Sequence, residues 1–261
     1  MTIPRILAIA GSDSGGGAGI QADIKTITLL GGHAMTAITA VTAQNTLGVE
    51  RVDTMSTKSV LAQIDAVAKD IGIDAVKIGM IGSAETALAV AERVKAIGAP
   101  IVFDPVMIAT SGSALADEET IEAFHALMRV ATLVTPNLPE LARLTWSQPA
   151  SAYQMEREAR RLSRDFKCAV LAKGAHLDDA LIHDILIEKD GRAHRWRAKR
   201  IDTRHTHGTG CTLSSAIATL LGKGLPLEKA IAEAREFVRA ALLAAPGFGS
   251  GHGPMGHYAV R

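Results

Sequence analysis

The chain has 261 residues, 48% hydrophobic and only 3% aromatic, with a formal net charge of +1. Such length and apolar content supply one large core, and the whole of residues 1–261 reads as a single domain. The near-neutral balance without a basic tail and the few rings argue against nucleic acid as a partner. No apolar run reaches membrane-spanning length, so no membrane partner is expected, and the N-terminus carries no leader pattern. The expectation is a cytoplasmic protein. The two cysteines, Cys168 and Cys211, fit a reducing compartment.

Short apolar runs alternate with helical patterns along the chain. Ile6–Ala10 reads as the first strand, followed by Gly11-Ser12-Asp13 and the glycine run Gly15-Gly16-Gly17-Ala18-Gly19. The run fails the dinucleotide fingerprint because Ile20 stands where glycine is needed. It fails the P-loop because no lysine follows before Lys25. It is either a flexible turn before a helix starting near Gln21, or a close backbone approach to a small planar ligand with Asp23 just inside. Ala34–Thr42 is the second strand. Gln44 lies just past it, with a carboxamide that pairs with a heterocycle edge or is satisfied by backbone. A helix over 56–71 leads to strand Ala75–Ile78 and then Gly79-Met80. The helix from Ser83 to Gly98 has Ser83 as cap and an apolar stripe of Leu88, Ala91, Val94 and Ile97. Strand Ile101–Phe103 precedes Asp104-Pro105-Val106-Met107. A helix over 117–131, strand Leu133–Thr135 and Pro136-Asn137 follow. A helix over 152–166 and strand Ala169–Ala172 lead to Lys173-Gly174. Ala180–Glu188 and Ala193–Lys199 then read as an antiparallel hairpin.

Strand–helix alternation predicts an α/β fold with a mostly parallel sheet covered on both faces. Six groups of unusual residues all fall at the carboxyl ends of strands, the edge where open α/β sheets bind ligands. Among them, Asp104, Asn137 and Glu140 offer oxygen ligands that suit Mg2+. Asn137-Leu138-Pro139-Glu140 equally reads as a helix start with a capping box. Lys173 reaches a phosphate as a point charge or extends its amine to solvent. The basic run 192–200 reads as one solvated hairpin face. His205 and His207 lack a third ligand at zinc spacing. The stretch 247–254 is either a loop near the site or a loose tail.

The segment from Thr206 to Ala218 is the most informative. A glycine-bearing turn, with Gly208 and Gly210 around Thr209, runs directly into an alanine-rich helix. Unpaired N–H groups and the helix dipole make such a turn an anion site. Cys211 sits inside it, at a position that raises thiolate character.

These residues resemble the hydroxymethylpyrimidine/phosphomethylpyrimidine kinases of thiamine biosynthesis, within the ribokinase-like superfamily. The resemblance runs nearly end to end. It is carried by residues 10–23, Ala43-Gln44-Asn45-Thr46, Lys77-Ile78-Gly79-Met80, Thr135-Pro136-Asn137-Leu138-Pro139-Glu140 and Thr206-His207-Gly208-Thr209-Gly210-Cys211-Thr212. One departure is Ala175 in Lys173-Gly174-Ala175-His176, where glycine is the family's residue. The resemblance implies a ribokinase-like three-layer sandwich that uses ATP and Mg2+. The expected activity is phosphorylation of 4-amino-5-hydroxymethyl-2-methylpyrimidine to its monophosphate and then its diphosphate. Gly208, Thr209 and Gly210 would form the anion hole, with Cys211 as base. Gln44 would hydrogen-bond the pyrimidine, with Gly11, Asp23, Met80 and Val106 around it. Asp104 and Glu140 would sit near Mg2+, and Lys173, Asn137 and Thr206 near the nucleotide. A homodimer is implied. Pyridoxal kinase activity and a non-catalytic pyrimidine-binding protein are the alternatives.

Overall fold

The computed structural model describes residues 2–109, 112–175, 177 and 181–260. In chain order the strands are β1 (Arg5–Asp13), β2 (His33–Gln44), β3 (Val49–Thr54), β4 (Ala75–Ile78), β5 (Ile101–Phe103), β6 (Leu133–Val134), β7 (Ala169–Lys173), β8 (Leu181–Ile187) and β9 (Ala193–Lys199). They form one sheet in the order β3-β2-β1-β4-β5-β6-β7-β8-β9. The run from β2 to β7 is parallel, while β3, β8 and β9 pair antiparallel with their neighbours. The chain starts in mid-sheet, steps out to β2, and returns to β4 on the other side of β1. This reversal opens a crevice at the carboxyl ends of β1 and β4.

Side chains alternate between two cores. Leu7, Ile9, Val76, Ile78, Ile101 and Phe103 face one. Against them pack α2 (Thr57–Asp70), α3 (Ala84–Lys95), α4 (Glu118–Val130), α5 (Leu138–Thr145) and α6 (Ala152–Phe166). Ile6, Ala8, Ala75 and Val102 face the other, beneath α1 (Gly19–Leu29), α7 (Thr209–Gly222) and α8 (Leu227–Leu243). Helix–sheet–helix layering thus follows from strands that are apolar on both faces.

Local signals fix most helix starts. The Ser56, Ser83, Asp117 and Ser151 side chains each accept the backbone N–H three residues on, a cap worth about 1 kcal/mol. The Asn137–Glu140 capping box is present at the start of α5. Four details correct the sequence reading. Helix α3 buries Ala87, Val90, Ala91 and Val94, whereas Leu88 is 52% exposed. Helix α1 begins at Gly19, two residues before Gln21. Strand β1 runs through Gly11 and Ser12 to Asp13, with a register shift between Ala10 and Ser12. Strand β3 was not expected, since all but one of its residues are exposed and the other is half-buried. Ala180 and His176 lie outside the described residues. No helix among those described is long and apolar enough to cross a membrane.

Candidate active site

A cleft of about 1280 Å³ opens along the carboxyl edge of the sheet. That exceeds the usual span of a single small-molecule pocket, about 300–1,000 Å³. Gly11, Gln44, Met80 and Val106 line the cleft, as do Asp104, Asn137, Glu140 and Lys173 and the run from Thr206 to Cys211.

That last run is built from main chain. Helix α7 starts on Gly208, at φ 86°, without a side-chain cap. A Cβ there would collide with the Gly17 carbonyl, so the turn requires glycine on both steric and conformational grounds. Helix α1 also starts uncapped, on Ala18, and the Gly19 N–H donates to the Cys211 sulfur. Two helix N-termini therefore meet beside one thiol, and their dipoles favour negative charge there. The thiol itself departs from expectation. Burial pushes Cys211 up to about 11, aided by Asp23 and Asp104, and outweighs nearby Lys77. It keeps its proton at neutral pH. Cys168 is pushed up to about 12 by burial and is a packed thiol.

Asp23 does not line the cleft, which corrects its expected place. It is fully buried one layer below, where Lys77 Nζ donates to both carboxylate oxygens at 2.9 and 2.8 Å. The Ser215 hydroxyl, one turn beyond Cys211 on α7, donates to Asp23 at 2.6 Å. Alternation on β4 explains the lysine: Lys77 points to the face that Ala75 also uses, under α1 and α7. Burial would discharge Lys77, but Asp23 holds its pKa above the ordinary value. The pair ties β4, α1 and α7 together beneath the anion site.

At the polar end, Lys173 Nζ and the Thr135 hydroxyl both donate to Asp104 Oδ1, each at 2.9 Å. Asp104 Oδ2 faces Gly210, 3.1 Å from where a Cβ would stand. Glu140 Oε2 accepts the Asn137 N–H at 2.7 Å. Burial and Asp104 push Glu140 up to about 7 against the pull of Lys173. The capping box read from Asn137-Leu138-Pro139-Glu140 forms, and Glu140 also lines the cleft.

At the other end, Asp13 and His207 form a pair that sequence reasoning did not assign. Asp13 Oδ2 lies 2.9 Å from His207 Nε2 and accepts the Gly17 and Ala18 N–H groups at 3.0 and 2.8 Å; Oδ1 accepts Gly15 N–H at 2.8 Å. Burial raises the Asp13 pKa, but these bonds overcome it and hold the carboxyl below its ordinary value. Gln44 Nε2 lies 3.3 Å from His207 Nε2. The stretch 247–254 packs nearby: Gly253 accepts the His207 N–H at 3.3 Å, and Thr46 accepts that of His252 at 2.9 Å. The signals available were Asp13 at a strand end and His207 in the glycine turn. Their separation of 194 residues hid the pairing.

Comparison with known proteins places the chain in a family. The family model for phosphomethylpyrimidine kinase matches residues 13–256. The hydroxymethylpyrimidine/phosphomethylpyrimidine kinase of Rhizobium meliloti is 46% identical over 97% of this chain and 96% of its own. The chain spans 35% and 52% of two longer thiamine-biosynthesis proteins that it also matches. Among solved structures, a Bacillus subtilis pyridoxal kinase with ADP superposes with a TM-score of 0.91 at 32% identity, covering 100% of this chain and 99% of that one. Phosphomethylpyrimidine kinase from Clostridium difficile superposes with a TM-score of 0.80 at 37% identity, covering 91% and 98%. The fold is ribokinase-like, and the chain belongs to the phosphomethylpyrimidine kinase family.

Proposed function

We propose that this protein transfers the γ-phosphoryl group of ATP to the hydroxymethyl of 4-amino-5-hydroxymethyl-2-methylpyrimidine, and then phosphorylates the monophosphate to the diphosphate. The observation that carries this reading is the meeting of two uncapped helix N-termini between a carboxamide end and a lysine–carboxylate end. Phosphoryl transfer needs mainly positioning and charge stabilisation, and both are built in. Gln44 and Gly11 receive the ring, with Met80 and Val106 as apolar walls. The N–H groups of Gly210 and Cys211 hold the transferring phosphoryl, beside that of Thr209, which donates to the Thr206 carbonyl at 3.3 Å. Lys173, Asn137 and Thr206 serve the nucleotide phosphates. The purine packs on Leu213, Val238 and Leu242, apolar residues that line the same cleft.

Asp104 and Glu140 suit Mg2+. Each keeps one carboxylate oxygen outside the bonds described, and among the described residues no cluster of three or more acidic, His or Cys groups forms a closed cage. Such a site fits an ion that arrives largely held by phosphates. Bound there, Mg2+ would neutralise charge on the nucleotide. The hydroxymethyl proton passes to Cys211 through its minor thiolate form.

Pyridoxal is a second substrate on this reading, favoured by the full-length superposition on a pyridoxal kinase. The whole chain acts as one kinase domain, cytoplasmic in keeping with its two free thiols. It works as a homodimer, which light scattering tests. ADP release measured with each pure substrate and Mg·ATP tests the activity. The pyrimidine should give the higher kcat/KM. Preference for pyridoxal would reverse the assignment, and no ATP consumption with either would reduce the protein to a binding relative.

A further inference from the structure

We propose that the Asp13–His207 pair, with Thr42, locks the Gln44 carboxamide in one orientation and thereby makes the site select a 4-aminopyrimidine edge over its 4-oxo counterpart. The proposal rests on the reading of Gln44 as the pyrimidine contact.

A carboxamide's oxygen and nitrogen occupy interchangeable positions, and the surrounding hydrogen bonds decide which is which. Two neighbours decide it here. The Asp13 carboxylate takes three backbone N–H groups and stands 2.9 Å from His207 Nε2. An ionised carboxylate only accepts, so His207 Nε2 carries a hydrogen. That hydrogen points to Asp13 and leaves Nε2 no lone pair, so an N–H of Gln44 3.3 Å away would find no acceptor there, whereas Oε1 can take a share of the hydrogen. On the other side, the Thr42 hydroxyl lies 3.0 Å from the Ser12 carbonyl and 3.2 Å from the second end of the carboxamide. Its one hydrogen goes to the carbonyl, which can only accept. Thr42 Oγ1 therefore faces Gln44 as an acceptor, and the carboxamide presents N–H to it. Both neighbours require the same orientation, with Oε1 toward His207 and Nε2 toward Thr42. The opposite one would set N–H against N–H at His207 and leave Thr42, its hydrogen already on the Ser12 carbonyl, with none for Oε1.

The backbone under this side chain is also held. Ser14 Oγ accepts the Gln44 N–H at 2.8 Å and donates to the Gln44 carbonyl at 2.9 Å. After these commitments the carboxamide retains one N–H and one Oε1 lone pair, adjacent and of fixed order. A 4-aminopyrimidine offers the matching edge: an amino N–H to the oxygen and a ring-nitrogen lone pair to the N–H. The 4-oxo compound, with hydrogen on that ring nitrogen, offers the inverse edge and meets like against like. Buried like-against-like pairings are strongly rejected, because neither group finds a partner. His207 and Asp13 are positioning residues here; they act on the ligand through Gln44.

Calorimetry with 4-amino-5-hydroxymethyl-2-methylpyrimidine and its 4-oxo analogue tests the proposal in the wild type and in His207→Leu, His207→Gln and Thr42→Val. The wild type should bind the amino compound at least about 100-fold more tightly. His207→Leu and Thr42→Val each release one side of the carboxamide and should lower that ratio at least about tenfold. His207→Gln returns an N–H donor and should keep the ratio within about threefold of wild type. Thr42→Val probes the lock independently if His207→Leu does not fold. A wild type that binds both compounds alike, or Leu and Val variants that weaken both ligands equally and leave the ratio unchanged, overturns the locked carboxamide. Selective binding of the amino compound without phosphate transfer overturns the kinase reading alone and supports the lock.

Discussion

The two halves of the cleft solve recognition by different means. The proposed anion site is main chain, made where α1 and α7 begin, and its side chains are small. The proposed heterocycle end is side chain, a carboxamide beside an acid–imidazole pair and a hydroxyl. A backbone site tolerates changes of polarity but fails when a Cβ intrudes, because its donors are fixed by helix geometry. A side-chain site fails group by group, and its order of donors and acceptors can be retuned by single substitutions. The contrast predicts which mutations stop phosphoryl transfer for every acceptor and which change only the choice of acceptor.

Gly210→Val should have the largest effect. A Cβ at Gly210 would meet Asp104 Oδ2 at 3.1 Å and Lys173 Nζ at 3.4 Å, and branching there closes the space between anion site and carboxylate. Loss of transfer by more than about 10³-fold is expected for pyrimidine and pyridoxal alike, with a melting temperature near wild type. Turnover within tenfold of wild type would dissolve the contrast. Lys77→Met should act through stability. It leaves Asp23 buried and uncompensated beneath both helices, at a cost of about 3–5 kcal/mol. Urea denaturation measures it, and adding Asp23→Asn should recover much of the loss.

Cys211→Ala separates the two phosphorylations. The hydroxymethyl must lose a proton, whereas the monophosphate, with a second pKa near 6, is already ionised. A loss of about 10²-fold confined to the first step is expected. A base held at about 11 acts only as thiolate. The first-step rate should therefore rise with pH through 7 to 9, about tenfold per unit, while the second step stays flat. Equal losses in both steps would make Cys211 a positioning residue. Gln44→Leu should touch only the acceptor. Each stranded donor or acceptor costs about 1–3 kcal/mol, so pyrimidine KM should rise about 5- to 150-fold with ATP KM unchanged. The smallest effect on turnover lies at His257, which meets the Thr212 hydroxyl at 2.8 Å on the first turn of α7. Burial, with Lys25, lowers it to about 4. The unfolded chain binds the proton first, so stability is complete above about 6.5 and falls as pH drops toward 4. The loss over that whole range is at most about 3 kcal/mol, and His257→Gln should flatten that slope in acid denaturation.

Legibility in the sequence follows the same division. The parallel strands between Ile6 and Ala172 were readable as apolar runs, and the late hairpin because Asp190-Gly191 marks its turn. The glycine turn that opens α7 was readable because it is local: Gly208, Gly210 and the start of the helix lie together in the chain. What stayed hidden is nonlocal. Asp13 meets His207 and Lys77 meets Asp23 only after the sheet is assembled. Resemblance placed Asp23 beside the substrate, where the fold puts it in the layer below. The expected thiolate at Cys211 rested on helix position alone, and burial beside two acids reverses it. Strand β3 carries no apolar alternation, since its exposed edge buries almost nothing.

A crystal of the protein soaked with ADP, a phosphoryl-transfer analogue and the aminopyrimidine tests the division of labour most directly. The expected result places the ring edge in hydrogen-bond contact with Gln44, the hydroxymethyl oxygen beside Cys211, and the phosphoryl mimic on the N–H groups that open α7. A ring bound at the Lys173 end, or a phosphoryl mimic away from Gly210, would contradict it.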